Sequence, residues 1–176
     1  MQQKIVLIGG PGTGKSSILK ELVKRKHTCM PEISRAVTLQ AQKEGIEQLF
    51  LTKPLLFSEL LLAGREQQFL DAEKSEASLV FFDRGIPDVH AYLNYLETDY
   101  PPIFQEKSTL YKYTKVFMLA PWEAIFETDN ERYESFEQAV TIDLFLRTAY
   151  QEIGYTIIDV PFGTIEERTN YILDSL

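Results

Sequence analysis

At 176 residues the chain has the length of one α/β domain, with little room for a second, and 44% apolar against 25% charged residues is enough for a sizeable core. A formal net charge of −8 counts against general binding of nucleic-acid polymers or anionic membranes, which reward clustered Lys and Arg. Two histidines and a single cysteine, Cys29, leave neither a disulfide framework nor a structural zinc site, and the lone thiol fits a cytoplasmic location.

The first apolar run is Lys4-Ile5-Val6-Leu7-Ile8, short and β-branched, and no secretory signal is expected before it. It leads into Gly9-Gly10-Pro11-Gly12-Thr13-Gly14-Lys15-Ser16, which satisfies G-x-x-x-x-G-K-[ST], the phosphate-binding loop. Apolar positions at helical spacing follow from Ser17 to Lys24. Glycines allow the close backbone approach that aims successive N–H groups at a polyphosphate. Lys15 supplies a point charge between the β- and γ-phosphates, and the Ser16 hydroxyl is a ligand for Mg²⁺. Gly9 to Ser17 are therefore the candidate ATP contacts, aided by the positive N-terminal end of the helix.

Lys24-Arg25-Lys26 reads as a basic helix end. Residues 27–30 read as a brief second strand closed by Pro31, and Ser34 as the N-cap of a helix running to about Glu44, stopped by Gly45. Residues 46–53 fit no element. Pro54 opens a long helix to about Lys74, whose recurring apolar positions Leu56, Leu60, Ala63, Phe69 and Leu70 predict its core face. Glu59, Arg65 and Glu66 interrupt it well short of a membrane span.

Ser78-Leu79-Val80-Phe81-Phe82 is continuous apolar sequence, the mark of a strand buried on both faces of a parallel sheet, and it ends in Asp83-Arg84-Gly85. Helices are expected over 86–96 and 101–113, and a strand over 115–119, with an acidic segment after it. Ser135 caps a helix over 136–153 closed by Gly154, residues 155–160 form the last strand, and Thr164 to Glu167 form a capping box. Five strands alternating with helices predict a three-layer α/β sandwich on a five-stranded parallel sheet, one domain over 1–176.

Ligands of such a sheet bind beyond the carboxyl ends of its strands. That rule selects Glu32 and Arg35 after the second strand, Asp83 and Arg84 after the third, Pro121-Trp122 after the fourth and Pro161-Phe162-Gly163 after the last. Asp83 sits where an acidic residue holds Mg²⁺, or else caps the following turn. Arg84 either grips a transferred or acceptor phosphate with its planar fork or makes a salt bridge to Asp83 or to a neighbouring helix. Trp122 and the tyrosines 92, 95, 100, 111 and 113 are expected to pack, His27 and His90 to be ordinary surface or core residues, and Cys29 to be a small buried apolar group.

The loop together with the acid–Arg pair resembles the nucleoside and nucleotide kinases, among them the thymidylate and deoxynucleoside kinases, which carry Asp-Arg or Glu-Arg at the position of Asp83-Arg84. Still more similar are the small stand-alone AAA-type ATP-binding proteins of kinase-like fold. That likeness rests on Pro31-Glu32-Ile33-Ser34-Arg35, Phe82-Asp83-Arg84-Gly85, Asp129-Asn130-Glu131-Arg132-Tyr133-Glu134 and the C-terminal stretch from Val160 to Arg168. The resemblance implies an ATP- and Mg²⁺-dependent kinase with a small-molecule phosphate acceptor, a nucleoside or nucleotide. In it Glu32 takes the acceptor proton or is a helix-start carboxylate, and Arg35 binds acceptor phosphate or pairs with Glu32. Residues 126–134 form a lid that brings Arg132 to the transferring phosphoryl group. Arginine rather than glutamate follows Asp83, which separates this chain from the hydrolytic AAA ATPases and favours phosphoryl transfer. The alternative is an ATP-dependent switch acting on a protein partner. A homodimer through a helical face is compatible with either.

Overall fold

The computed structural model describes residues 2–46, 49–126 and 135–176. Five strands, β1 (Gln3–Ile8), β2 (Thr28–Met30), β3 (Leu79–Asp83), β4 (Lys115–Met118) and β5 (Ile157–Asp159), pair in the order β2-β3-β1-β4-β5, all parallel. Between them run α1 (Lys15–Lys24), α2 (Ser34–Lys43), α3 (Leu49–Thr52), α4 (Pro54–Lys74), α5 (Pro87–Tyr95), α6 (Ile103–Leu110), α7 (Phe136–Glu152) and α8 (Ile165–Asp174), with one 3₁₀ turn at Glu123–Ile125.

The period of two along the strands divides the core. Val6, Ile8, Val80 and Phe82 face Phe69 and Ala72 of α4, Ala91 of α5 and Ile142, Leu146 and Tyr150 of α7. Ile5, Leu7 and Phe81 face the other way, onto Ile18 and Leu22 of α1 and Ile172 of α8. Both sheet faces are thus covered by helices, which is why β1 and β3 read as unbroken apolar runs. A third cluster, Leu61 and Leu62 of α4 with Ile86, Val89 and Leu93 of α5 and Phe104 of α6, builds a helical wall of its own. The expected sandwich and five-stranded parallel sheet are present.

Three local expectations change. Leu56 and Leu60 are exposed, and the buried stripe of α4 is Ser58, Leu61, Leu62, Arg65, Phe69 and Ala72. Of the expected positions Phe69 is buried, Leu70 half-buried and Ala63 exposed, and apolar spacing misses the polar and charged residues of the inner face. The segment left without an element contains the single turn α3, with residues 47 and 48 outside the described residues. Ser34 is the first residue of α2 rather than its cap, and no side chain at the N-cap, Ile33, bonds the helix. Ser135 and Thr164 cap their helices as read, Thr164 through the expected capping box and Ser135 through a second reciprocal box with Gln138. Among the described residues no helix is long and apolar enough to cross a membrane.

Candidate functional site

Residues 9–14 form the loop between β1 and α1, so Gly9, Gly10, Pro11, Gly12, Thr13 and Gly14 stand at the carboxyl edge of the central strand. Lys15 and Ser16 open α1, Ser16 exposed and Ser17 half-buried behind it. Gly14 has φ +86°, in the left-handed region, and a Cβ there would stand 2.8 Å from a guanidinium nitrogen of Arg168, so a side chain is excluded twice over. The Lys15 ammonium is folded back onto the loop, donating to the carbonyls of Gly9 at 2.8 Å and Gly10 at 3.0 Å. Burial, followed by repulsion from Arg84, lowers its pKa to about 8. The loop therefore holds a desolvated cation.

The second half of the site is built by the turn after β3. Arg84 still donates its backbone N–H to Leu7 of β1, at 3.0 Å, and then takes φ +69°. A non-glycine residue in that conformation is strained. It is fixed by its side chain: Nε lies 2.6 Å from Glu32 Oε2, and Nη1 lies 3.4 Å from Asp88 Oδ1 and 3.2 Å from the Tyr92 hydroxyl. Asp88 Oδ2 in turn accepts from the Gly85 N–H at 2.9 Å and from the Tyr150 hydroxyl at 2.7 Å. Arg65, buried on α4, donates to the Gly85 carbonyl at 2.7 Å and stands 3.5 Å from Glu32 Oε1.

Glu32 replaces Ser34 as the device that starts α2: its Oε1 accepts the N–H groups of Ile33 and Ser34, each at 2.9 Å. Burial pushes its pKa up, but Arg65, Arg84, the Ser34 N–H and Lys15 outweigh that and hold it at about 2. No donor aims a hydrogen at Oε2 among the described residues, so this oxygen is ion-paired yet retains a free lone pair. Asp83 behaves oppositely. Burial raises its pKa against the pull of Lys15 and Arg84, and its Oδ1 is buried with no hydrogen-bond partner.

That orphaned oxygen is the test for a metal ion. Asp83 and Ser16 line one cavity of about 360 Å³ together with Glu32 and Cys29. Among the described residues no group of three or more His, Cys, Asp or Glu is placed to cage a metal. One hydroxyl and one carboxylate suit Mg²⁺, which keeps water and phosphate oxygens in its shell instead of demanding a full set of protein ligands. The residues fit.

A phosphate loop, a strand-end aspartate with an unpartnered oxygen and a half-buried Glu–Arg pair now stand together at one sheet edge, and a family model described as an AAA domain matches residues 4–168. The chain belongs to this AAA-domain family. No curated protein matches the sequence. Among solved structures the family member is similar to deoxyadenosine kinase from M. mycoides with products dCMP and dCDP, at 17% identity and a TM-score of 0.73, covering 98% of each chain. It is also similar to NadR protein in complex with NR, at 15% identity and 0.75, and to NadR with NAD and AMP-PNP, at 16% and 0.70. It covers 99% of its own length in both but only about half of the NadR chain. At such identities the likeness is one of fold, the kinase-like phosphate-loop fold.

Within this AAA domain the expected residues fall into two groups. The loop, Lys15, Glu32, Asp83 and Arg84 converge at one edge. Arg35 lies exposed on α2, and the cations beside Glu32 are Arg65 and Arg84. Of the lid, Phe126 packs where a Gly12 Cβ would stand and lies 5.5 Å from the Phe136 ring; residues 127–134, Arg132 included, lie outside the described residues. Cys29 is half-buried rather than buried, with its thiol pushed up to about 11 by desolvation. His90 is a core residue beside Ser108, and Trp122 stacks on Phe162 with ring centroids 4.9 Å apart.

Sequence reasoning missed Arg65, Asp88 and Tyr150. Asp88 carried a usable signal, an acid in the first turn of a helix that starts right after a strand-end motif. Arg65 carried none, since a lone arginine in an apolar helix reads as its solvent face. Of the ion pairs open to Arg84, the one to a neighbouring helix is present, with Asp88 of α5, and a second runs to Glu32, while the adjacent Asp83 is not its partner.

Proposed function

We propose that residues 1–176 act as one ATP-binding phosphotransferase unit in the cytoplasm, moving the γ-phosphate of ATP to a hydroxyl group of a small acceptor of the nucleoside or nucleotide class. The observation that carries this reading is Glu32: a half-buried, ionised carboxylate with an open lone pair, braced by Arg65 and Arg84 within the same charge cluster as Lys15. A carboxylate so placed suits an acceptor hydroxyl, and no comparable glutamate follows Asp83 to orient a hydrolytic water.

In this reading the loop amides and Lys15 bind and orient the β- and γ-phosphates. Ser16 and Asp83 hold Mg²⁺, which supplies neutralisation of phosphate charge when bound. The acceptor oxygen attacks the γ-phosphorus, the bond from that phosphorus to the ADP oxygen breaks, and the hydroxyl proton passes to Glu32. A pKa near 2 is no obstacle in a loose transition state, where the hydroxyl is deprotonated late and the carboxylate chiefly aims it. Arg84 then adds positive charge beside the equatorial oxygens. Arg35 and Arg132 remain proposed acceptor and phosphoryl contacts. The similar structures bound to dCMP and dCDP and to NR support an acceptor of that class.

ADP release measured with Mg²⁺ across a panel of nucleosides, nucleotides and related ribosides tests the reading, with the Lys15→Ala protein as blank. Stimulation by one acceptor class is expected. Equal release with and without every acceptor overturns it in favour of the partner-directed ATPase switch.

A further inference from the structure

Arg168 reaches from α8 to the phosphate loop across 155 positions of sequence, its Nη1 donating to the Thr13 carbonyl at 3.0 Å. The side chain is only 3% exposed. Its guanidinium carbon stands 5.8 Å from the centroid of the Trp122 ring, and Nε and Nη2 are buried with no hydrogen-bond partner. No carboxylate lies in ion-pair range of it among the described residues, and burial lowers its pKa. α8 is itself held firmly, by its Thr164–Glu167 capping box and by Arg25 of α1 donating to Asn170 at 2.6 Å.

A buried cation with unused donors and no counter-ion is unfavourable unless an anion arrives. The loop it touches is the one that receives anions. The contact also has a direction. In a trans peptide the C=O and the next N–H point opposite ways. A guanidinium fixed on the Thr13 carbonyl therefore turns the Gly14 N–H away from α8, which in a phosphate loop is the ligand side. A hydrogen bond from a charged donor also polarises that peptide, strengthening the N–H as a donor.

We propose that Arg168 is a positioning residue of the phosphate loop: by gripping the Thr13 carbonyl it presets the Thr13–Gly14 peptide for a polyphosphate before the nucleotide arrives. This rests on the nucleotide-binding reading above. It concerns the phosphates and not the base, so its consequences extend to a ligand that has no base.

The test compares wild type with Arg168→Met, Arg168→Gln and Arg168→Lys. Calorimetric titration with Mg-ATP and with Mg-tripolyphosphate is paired with ¹⁵N relaxation of the Gly12, Thr13 and Gly14 amides in ligand-free protein. The Met and Gln variants are expected to lose affinity for both ligands by the same factor, about tenfold or more, as for a lost hydrogen bond from a charged group. The Lys variant recovers most of it, and the three amides become more mobile in the Met variant while α8 keeps its circular dichroism. Unchanged tripolyphosphate binding in the folded Met or Gln variant overturns the proposal, as do unchanged order parameters at 12–14 in the Met variant. If wild type binds neither ligand, the nucleotide reading fails, and the relaxation data still decide the role of Arg168.

Discussion

Glu32→Gln is the sharpest perturbation of the buried cluster. The carboxylate is held at about pKa 2 against an ordinary 4.5, so within that window the unfolded chain carries a proton that the folded chain does not. Stability from this group is therefore fully present above pH 4.5 and is lost as pH falls through 2. A shift from 4.5 to about 2 corresponds to about 3 kcal/mol at neutral pH. That approaches the effect seen when one partner of a buried ion pair is removed, about 3–5 kcal/mol, because Arg65 stays buried without its carboxylate and Arg84 keeps only Asp88. Urea unfolding of wild type and variant at pH 7, 4 and 3 measures it. The variant should be less stable by about 3 kcal/mol at pH 7, still by more than about 2 at pH 4, and by under half of the neutral value at pH 3. Adding Arg84→Met should recover part of the loss by removing the uncompensated charge. A gap below about 0.5 kcal/mol at pH 7, or one that does not change with pH, refutes the reasoning.

Three further outcomes follow from the same geometry. Lys15→Met should abolish phosphoryl transfer yet raise the thermal midpoint of the ligand-free protein. A lysine lowered from 10.5 to about 8 by burial disfavours folding at every pH below 8, and that penalty disappears with the charge. Asp83→Asn should likewise stabilise the free protein at pH 7, since burial raises this carboxyl and its charged form is the unfavourable one; turnover should fall by about a hundredfold with a higher Mg²⁺ requirement, read by titrating Mg²⁺ at saturating ATP. Gly85→Ala should lower stability by about 2 kcal/mol, the usual effect of overpacking, because its Cβ would stand 2.4 Å from the Tyr150 hydroxyl and 2.8 Å from the Tyr113 ring. Tyr150→Phe in the same chain should restore part of that loss, and an unaffected melting curve for the single variant contradicts the packing described.

Those residues also show what the sequence can and cannot disclose. The glycine-rich loop, the strand-end aspartate, the Ser135 cap and the Thr164 capping box are local patterns, set by neighbours within a few positions, and they appear where the spacing puts them. The parallel sheet is legible for a related reason, since strands buried on both faces cannot alternate and must read as apolar runs. Arg65 was not legible. Its partners, Gly85 and Glu32, are 20 and 33 positions away, and a buried stripe that mixes Ser58 and Arg65 with Leu61, Leu62, Phe69 and Ala72 shows no clean apolar period. Arg168 was visible only as the last residue of a family-like segment, because its contact with Thr13 spans nearly the whole chain. The switch of α2 from a Ser34 cap to a Glu32 cap has the same origin: both residue types accept N–H bonds, and only the tertiary pull of Arg65 and Arg84 decides which carboxylate or hydroxyl turns inward.

The fate of the γ-phosphate tests the central claim most directly. ATP, Mg²⁺ and the acceptor that most stimulates ADP release are followed by ³¹P NMR, with Glu32→Gln alongside. Transfer predicts a phosphomonoester signal growing in step with ADP, with little inorganic phosphate, and a large drop in rate for the variant at unchanged ATP affinity. Inorganic phosphate in step with ADP, with no phosphorylated acceptor, contradicts it and makes the chain an ATPase.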